Sequence, residues 1–194
     1  MPEVALSVLP AFDEVFALLL TLDTIKPHPS LPKRLGPLLK DLQKPAPSRD
    51  PKVLAELVHA LLITNRDSHA VELMAEAITH IDCGQAKSAR ILLDQLAPLQ
   101  PNWPEVAYKQ AITALMLGET ERAVRHLGDT IQLEPRHFAA LSLFGQICLD
   151  CDRLYEARIA LQMAFDRNPH LNGVKETLLA IDTVLDPRDK RLNG

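Results

Sequence analysis

Apolar residues recur along this chain at steps of three and four, the spacing of one face of an α-helix. Residues 70–82 carry Leu73, Ala77, His80 and Ile81 at that spacing, and residues 85–97 carry Ala86, Ala89, Leu92, Leu93 and Leu96. The pair then repeats. Prolines stand 34 residues apart at Pro101, Pro135 and Pro169. The same step separates Ala89, Ala123 and Ala157; Ala77, Ala111 and Gly145; and Leu93, Leu127 and Leu161. A turn column reads Gly84, Gly118, Asp152. Five columns in register without an insertion predict three copies of one helix–turn–helix unit.

The column residues fit that geometry. Gly or Asp between two helices tolerates the left-handed dihedrals of a tight turn. The proline ends the second helix and presets the start of the next unit. Small residues at the Ala77 and Ala89 columns let two antiparallel helices approach closely, and the Leu93 column fills the space between pairs.

This 34-residue pattern resembles the tetratricopeptide repeat (TPR). The best match is the third unit, where Leu141, Phe144-Gly145, Leu154, Ala157, Leu161, Ala164, Phe165 and Pro169 stand at the signature positions. The second unit matches through Ala111, Gly118, Ala123, Leu127, Ile131 and Pro135, but has Ala107 where the family favours a bulky aromatic. The first departs most, with Glu76 in place of Leu and His80 in place of an aromatic. The strings LEPRHFAAL and NPHLNG resemble a group of small bacterial TPR proteins of unsettled activity. The resemblance implies an all-α fold, an α-solenoid of three TPR helix hairpins at 70–103, 104–137 and 138–171.

The flanks extend the helical pattern. Leu171, Val174, Leu178, Ile181 and Leu185 form one apolar stripe, expected to be the cap helix of a segment spanning 172–194. Asp186-Pro187 should end it, leaving a frayed tail. Residues 1–69 form an N-terminal extension with helices expected at 11–24, 31–43 and 51–64, the last capped by Asp50 with Pro51 at its first position. A proline-rich linker lies near 44–51. The third of these helices is a candidate second half of a degraded repeat; the first two would cap the array or fold back into its groove.

In TPR arrays the first helix of each pair lines a concave groove. Carried over by position, the groove residues are Val71, Met74 and Ile78 in unit one, Glu105, Tyr108, Ile112 and Met116 in unit two with Lys109 beside them, and Ser142 and Gln146 in unit three. An apolar trough with a polar end suits an amphipathic helix or a hydrophobic peptide. The positions that clamp a terminal carboxylate in chaperone-tail receptors hold Met74, Ile78, Lys109, Ala139 and Leu143, with one cation among them, so an acidic C-terminal tail is not the expected ligand. The leading expectation is a non-catalytic protein–protein interaction module, an adaptor or chaperone. Alternatives are a cytoplasmic chaperone resembling those of type III secretion translocators, and a structural protein that self-assembles as a homo-oligomer through its N-terminal helix.

Composition narrows the rest. The 194 residues carry net charge −4, about −2 in each half, which argues against a nucleic-acid partner. The longest apolar run, Val15–Leu20, is far short of the roughly 20 residues that span a bilayer. The first cation, Lys26, comes too late for a secretory n-region. Three cysteines suit a reducing cytoplasm rather than a disulfide framework. Cys148-Leu-Asp-Cys151 ends a helix, where the dipole disfavours a thiolate, so redox or metal chemistry is not expected. No HExxH string, glycine-rich phosphate loop or nucleophile elbow is present. No catalytic residue, cofactor or metal is expected.

Overall fold

A computed structural model describes residues 10–185, which form ten α-helices and, among the described residues, no strand. The first three are α1 (Pro10–Leu20), α2 (Leu35–Leu42) and α3 (Pro51–Leu62). Three hairpins follow: α4 (Ser68–Asp82) with α5 (Ala86–Leu99), α6 (Pro104–Met116) with α7 (Thr120–Leu133), and α8 (Phe138–Asp150) with α9 (Leu154–Arg167). Helix α10 (Val174–Leu185) closes the array against α9. The fold is an all-α solenoid of helical repeats.

The turn column works as its chemistry requires. Gly84, Gly118 and Asp152 all have positive φ, at 72°, 75° and 58°. Asp is among the few side-chain-bearing residues that adopt this region at modest cost. Within unit three the helices nearly touch at Gly145, where a Cβ would lie 2.7 Å from Leu161 Cγ. The core of the array runs through Leu127, Ile131, Leu141, Phe144 and Leu161, all buried. A separate cluster around Met74, Ala77, Leu93, Leu96, Trp103 and Val106 holds unit one.

The N-terminal helices take two opposite seats. Helix α1 lies on the outer side of the array, against α7. Val15 rests on Gly128, Phe12 meets Phe144 with ring centroids 6.1 Å apart, and Phe16 meets Tyr155 of α9 edge-on. Arg153 bonds Asp13 and Glu156 and lies over the Phe12 ring. The apolar face that a self-pairing helix would offer is therefore covered within the chain. Helices α2 and α3 pack on each other, reach α9, and face α6 and the start of α8 across a cavity. The Trp103 indole N–H donates to the Leu62 carbonyl at 2.6 Å, and the His28 amide to Leu133 at 2.8 Å, fastening this lobe to the linkers between units.

Three local differences from expectation have simple causes. The first helix ends at Leu20 and passes into a 3₁₀ turn at Leu22–Thr24, where Thr21 and Thr24 hydroxyls donate to carbonyls three residues back. The second begins at Leu35, not 31, because Pro32 pushes Leu31 out of the helical region. Pro37 is tolerated in its first turn, where no amide bond is lost. Helix α3, capped by Asp50 on the Lys52 amide, packs mainly on α2 and does not stack on α4 as α5 stacks on α6. On α10, Val174, Leu178 and Ile181 are buried while Leu185 is 41% exposed. The expected helix end at Asp186-Pro187 and the frayed tail lie outside the described residues.

Candidate partner-binding groove

Pro104 starts α6, and the next residue, Glu105, is fully buried beneath the groove. Its carboxylate is met from three elements. His137 Nε2, at the start of α8, lies 3.2 Å from Oε2. Lys109 Nζ, one turn on, is 3.1 Å from Oε1, and His59 Nε2 of α3 is 3.6 Å from the same oxygen. His137 Nδ1 accepts the Ala140 amide at 3.1 Å, capping α8. A neutral imidazole with its proton on Nε2 satisfies both contacts. Burial works against the charge of Glu105, but the hydrogen bond from His137, the approach of His59 and the charge of Lys109 outweigh it and hold the carboxyl well below its usual range. Oε1 makes no well-directed hydrogen bond, so its contact with Lys109 is one of charge.

Tyr108 stacks beside His137 at 4.7 Å between ring centroids, and Lys109 Nζ lies 5.4 Å from the Tyr108 centroid. Burial, assisted by the Glu105 charge, pushes the Tyr108 hydroxyl above its usual range, so it stays a donor. Glu134 is buried and forks onto Arg136 through the Arg Nε and Nη2 at 2.8 and 2.7 Å. Around these groups a cavity of about 260 Å³ opens between α2, α3, α6 and the start of α8. Leu35, Leu39, Val58, Leu62, Ile112 and Phe138 supply most of its wall; His59, Lys109, Arg136 and His137 supply the polar part.

The expected groove residues separate into three groups. Tyr108, Lys109 and Ile112 line the cavity, with Glu105 behind them. Met116, 41% exposed, and Gln146, exposed, stand toward the far ends of α6 and α8, with Ser142 half-buried. Val71 and Ile78 pack half-buried on the unit-one cluster, and Met74 lies inside it at 1% exposure, withdrawn from any wall. His59, His137 and the α2–α3 wall were not anticipated. The one available signal was positional: His137 shares its repeat column with Trp103, and both precede a helix at a unit junction.

The cysteines hold no reactive pair. Burial chiefly, with Glu156 assisting, pushes the Cys148 thiol up to about 12, and Cys151 is also raised, by burial and Asp150. Among the described residues no three His, Cys, Asp or Glu side chains gather as metal ligands, and no helix is long and apolar enough to cross a membrane.

Residues 82–164, from the end of α4 through most of α9, match the family model of the anaphase-promoting complex, cyclosome, subunit 3, a family of TPR-like repeats. No curated protein matches the chain. The match covers less than half of the chain, so it marks a similarity of the repeats. The matched helices are similar to repeats of the tetratricopeptide type, which generally mediate protein–protein interaction.

Proposed function

We propose that this protein is a non-catalytic adaptor or chaperone that holds a segment of another protein on the concave side of its repeats. The observation that carries this reading is the cavity walled by Tyr108, Lys109 and Ile112, an apolar concavity with a few convergent polar groups, the usual form of a binding site. The placement of α1 supports it, since that helix packs on α7 and takes no part in the cavity wall. The three free cysteines suit a reducing cytoplasm.

Affinity capture from native cells tests the reading. Ile112→Asp places a charge in the apolar wall and is expected to lose the captured partner, whereas Gln162→Arg on the outer face is expected to keep it. A partner held equally by both variants contradicts the groove.

A further inference from the structure

Charge is distributed unevenly along this chain. Residues 26–52 carry seven Lys or Arg and two Asp, a balance of +5 in a chain of net −4. The remainder therefore carries −9. All seven cations are exposed. Lys44 pairs with Asp41, but among the described residues Lys26, Lys33, Arg34, Lys40, Arg49 and Lys52 have no acidic partner. Both acids of the stretch are engaged locally. Asp41 accepts from Ser48 and Lys44, and Asp50 caps α3.

Four of these cations sit on or next to the two helices, α2 and α3, that wall the cavity. Lys33 and Arg34 precede α2, and Lys40 lies on its exposed face, while Leu35 and Leu39 of the same helix face the cavity. Lys52 stands one turn ahead of Ala55 on the face of α3 that also carries His59, and both Ala55 and His59 line the cavity. Arg136 lines it too, but is neutralised by Glu134. Clustered like charges repel one another, and an anion relieves them.

We propose that the α2–α3 hairpin and the cavity beneath it form a docking site for an acidic peptide segment that carries one large apolar side chain. The proposal rests on the interaction-module reading and names the chemistry of its partner. The cavity, at about 260 Å³, has room for a Leu, Met or Phe side chain. The flanking acids then meet Lys33, Arg34, Lys40 and Lys52. A long polyanion fits less well, because nucleic acid or a bilayer surface reaching past this one hairpin meets repeats of net negative charge. The site also differs from a carboxylate clamp on the first helices of the repeats, since its cations belong to the N-terminal extension.

Selection of a randomised twelve-residue peptide display library on the full chain tests this. The enriched pool is expected to place Asp and Glu around a single Leu, Met or Phe. Its leading peptide should lose at least tenfold in Kd on the variant K33E/R34E/K40E/K52E, and less on K33Q/R34Q/K40Q/K52Q. It should also weaken as salt rises, because exposed charges are screened. Ala55→Phe, which fills the cavity, should weaken it at least fivefold. Melting curves matching the parent show that these substitutions keep the fold. A pool without acidic bias, an affinity unchanged in the charge-reversed variant, or tighter binding to a twelve-nucleotide single strand or to phosphatidylserine vesicles overturns the proposal. If the charge-reversed protein keeps a native partner that Ile112→Asp loses, the proposal falls and the interaction-module reading stands. If the selected peptides are indifferent to Ile112→Asp as well, both fall.

Discussion

Between α5 and α7 the outer surface of the array is open, with a cavity of about 330 Å³ lined by Gln100, Trp103, Ala107, Gln110, Asp129 and Gln132. Between α7 and α9 the corresponding seam carries α1, seated on Val124 and Gly128 with Phe12 against Phe144. The two seams have the same helical framework and differ in their side chains. In the columns that hold Val124 and Gly128 in unit two, unit one has Arg90 and Asp94, and unit three has Arg158 and Gln162. Three of those polar residues are taken up in ion pairs, two of them across the α5–α7 seam itself. Arg90 pairs with Glu119, Asp94 with Arg122, and Arg158 with Asp182 of the cap helix. In these two columns unit two alone is small and apolar, and there the amphipathic N-terminal helix docks. Repeat geometry supplies equivalent seams; two departures from the repeat choose between them.

The largest expected effect lies in the closed seam. Phe12 is fully buried against Phe144, and Phe12→Ala is expected to cost about 4 kcal/mol through lost burial and the cavity left behind. Urea unfolding measures this, and a loss below about 1 kcal/mol would mean that α1 is not part of the core.

The inner face offers the next contrast, because it rests on charge where the outer seam rests on apolar packing. Glu105→Gln leaves Lys109 buried without its counter-charge and is expected to cost about 3 kcal/mol, as breaking a buried pair does. The pH dependence follows from the sign. The folded carboxyl lies below its ordinary value of 4.5, so its stabilisation is present above that pH and is lost as pH falls below it. The parent should lose stability below pH 4.5 more steeply than the Gln variant. Parallel unfolding curves across pH 3–6 would show that the cluster is not charged as described.

The smallest effect belongs to the open seam. Ala107 stands where the repeat family favours a bulky aromatic, and it lines the empty cavity. Ala107→Tyr is expected to add about 1 kcal/mol by filling it, with a Tm rise of a few degrees. A fall in Tm would mean that the cavity is too narrow and that the two seams differ less than their side chains imply.

The repeat was legible because its signals are local. Positive-φ residues at 84, 118 and 152, small residues at the close approaches, and prolines between units each act within a few residues. The seats of the N-terminal helices were not legible in the same way. A repeat shows as sameness between columns, whereas the docking site of α1 is a break in sameness at Val124 and Gly128. The candidate site was legible in part. Tyr108, Lys109 and Ile112 follow from repeat position, but Met74 at the equivalent position in unit one turns inward beside Trp103 and Val106. His59 joins Glu105 across 46 residues of sequence, a pairing no local spacing reports. The +5 stretch at 26–52 vanished when charge was balanced over half the chain.

Backbone amide shifts of the labelled protein, followed during titration with the captured partner segment, test the account most directly. The account predicts the largest changes at residues 105–116 on α6, at 138–146 on α8, and on α2 and α3, with α5 and α9 little altered. Changes concentrated on α5, α7 and α9, with α6 and α8 unmoved, would contradict it.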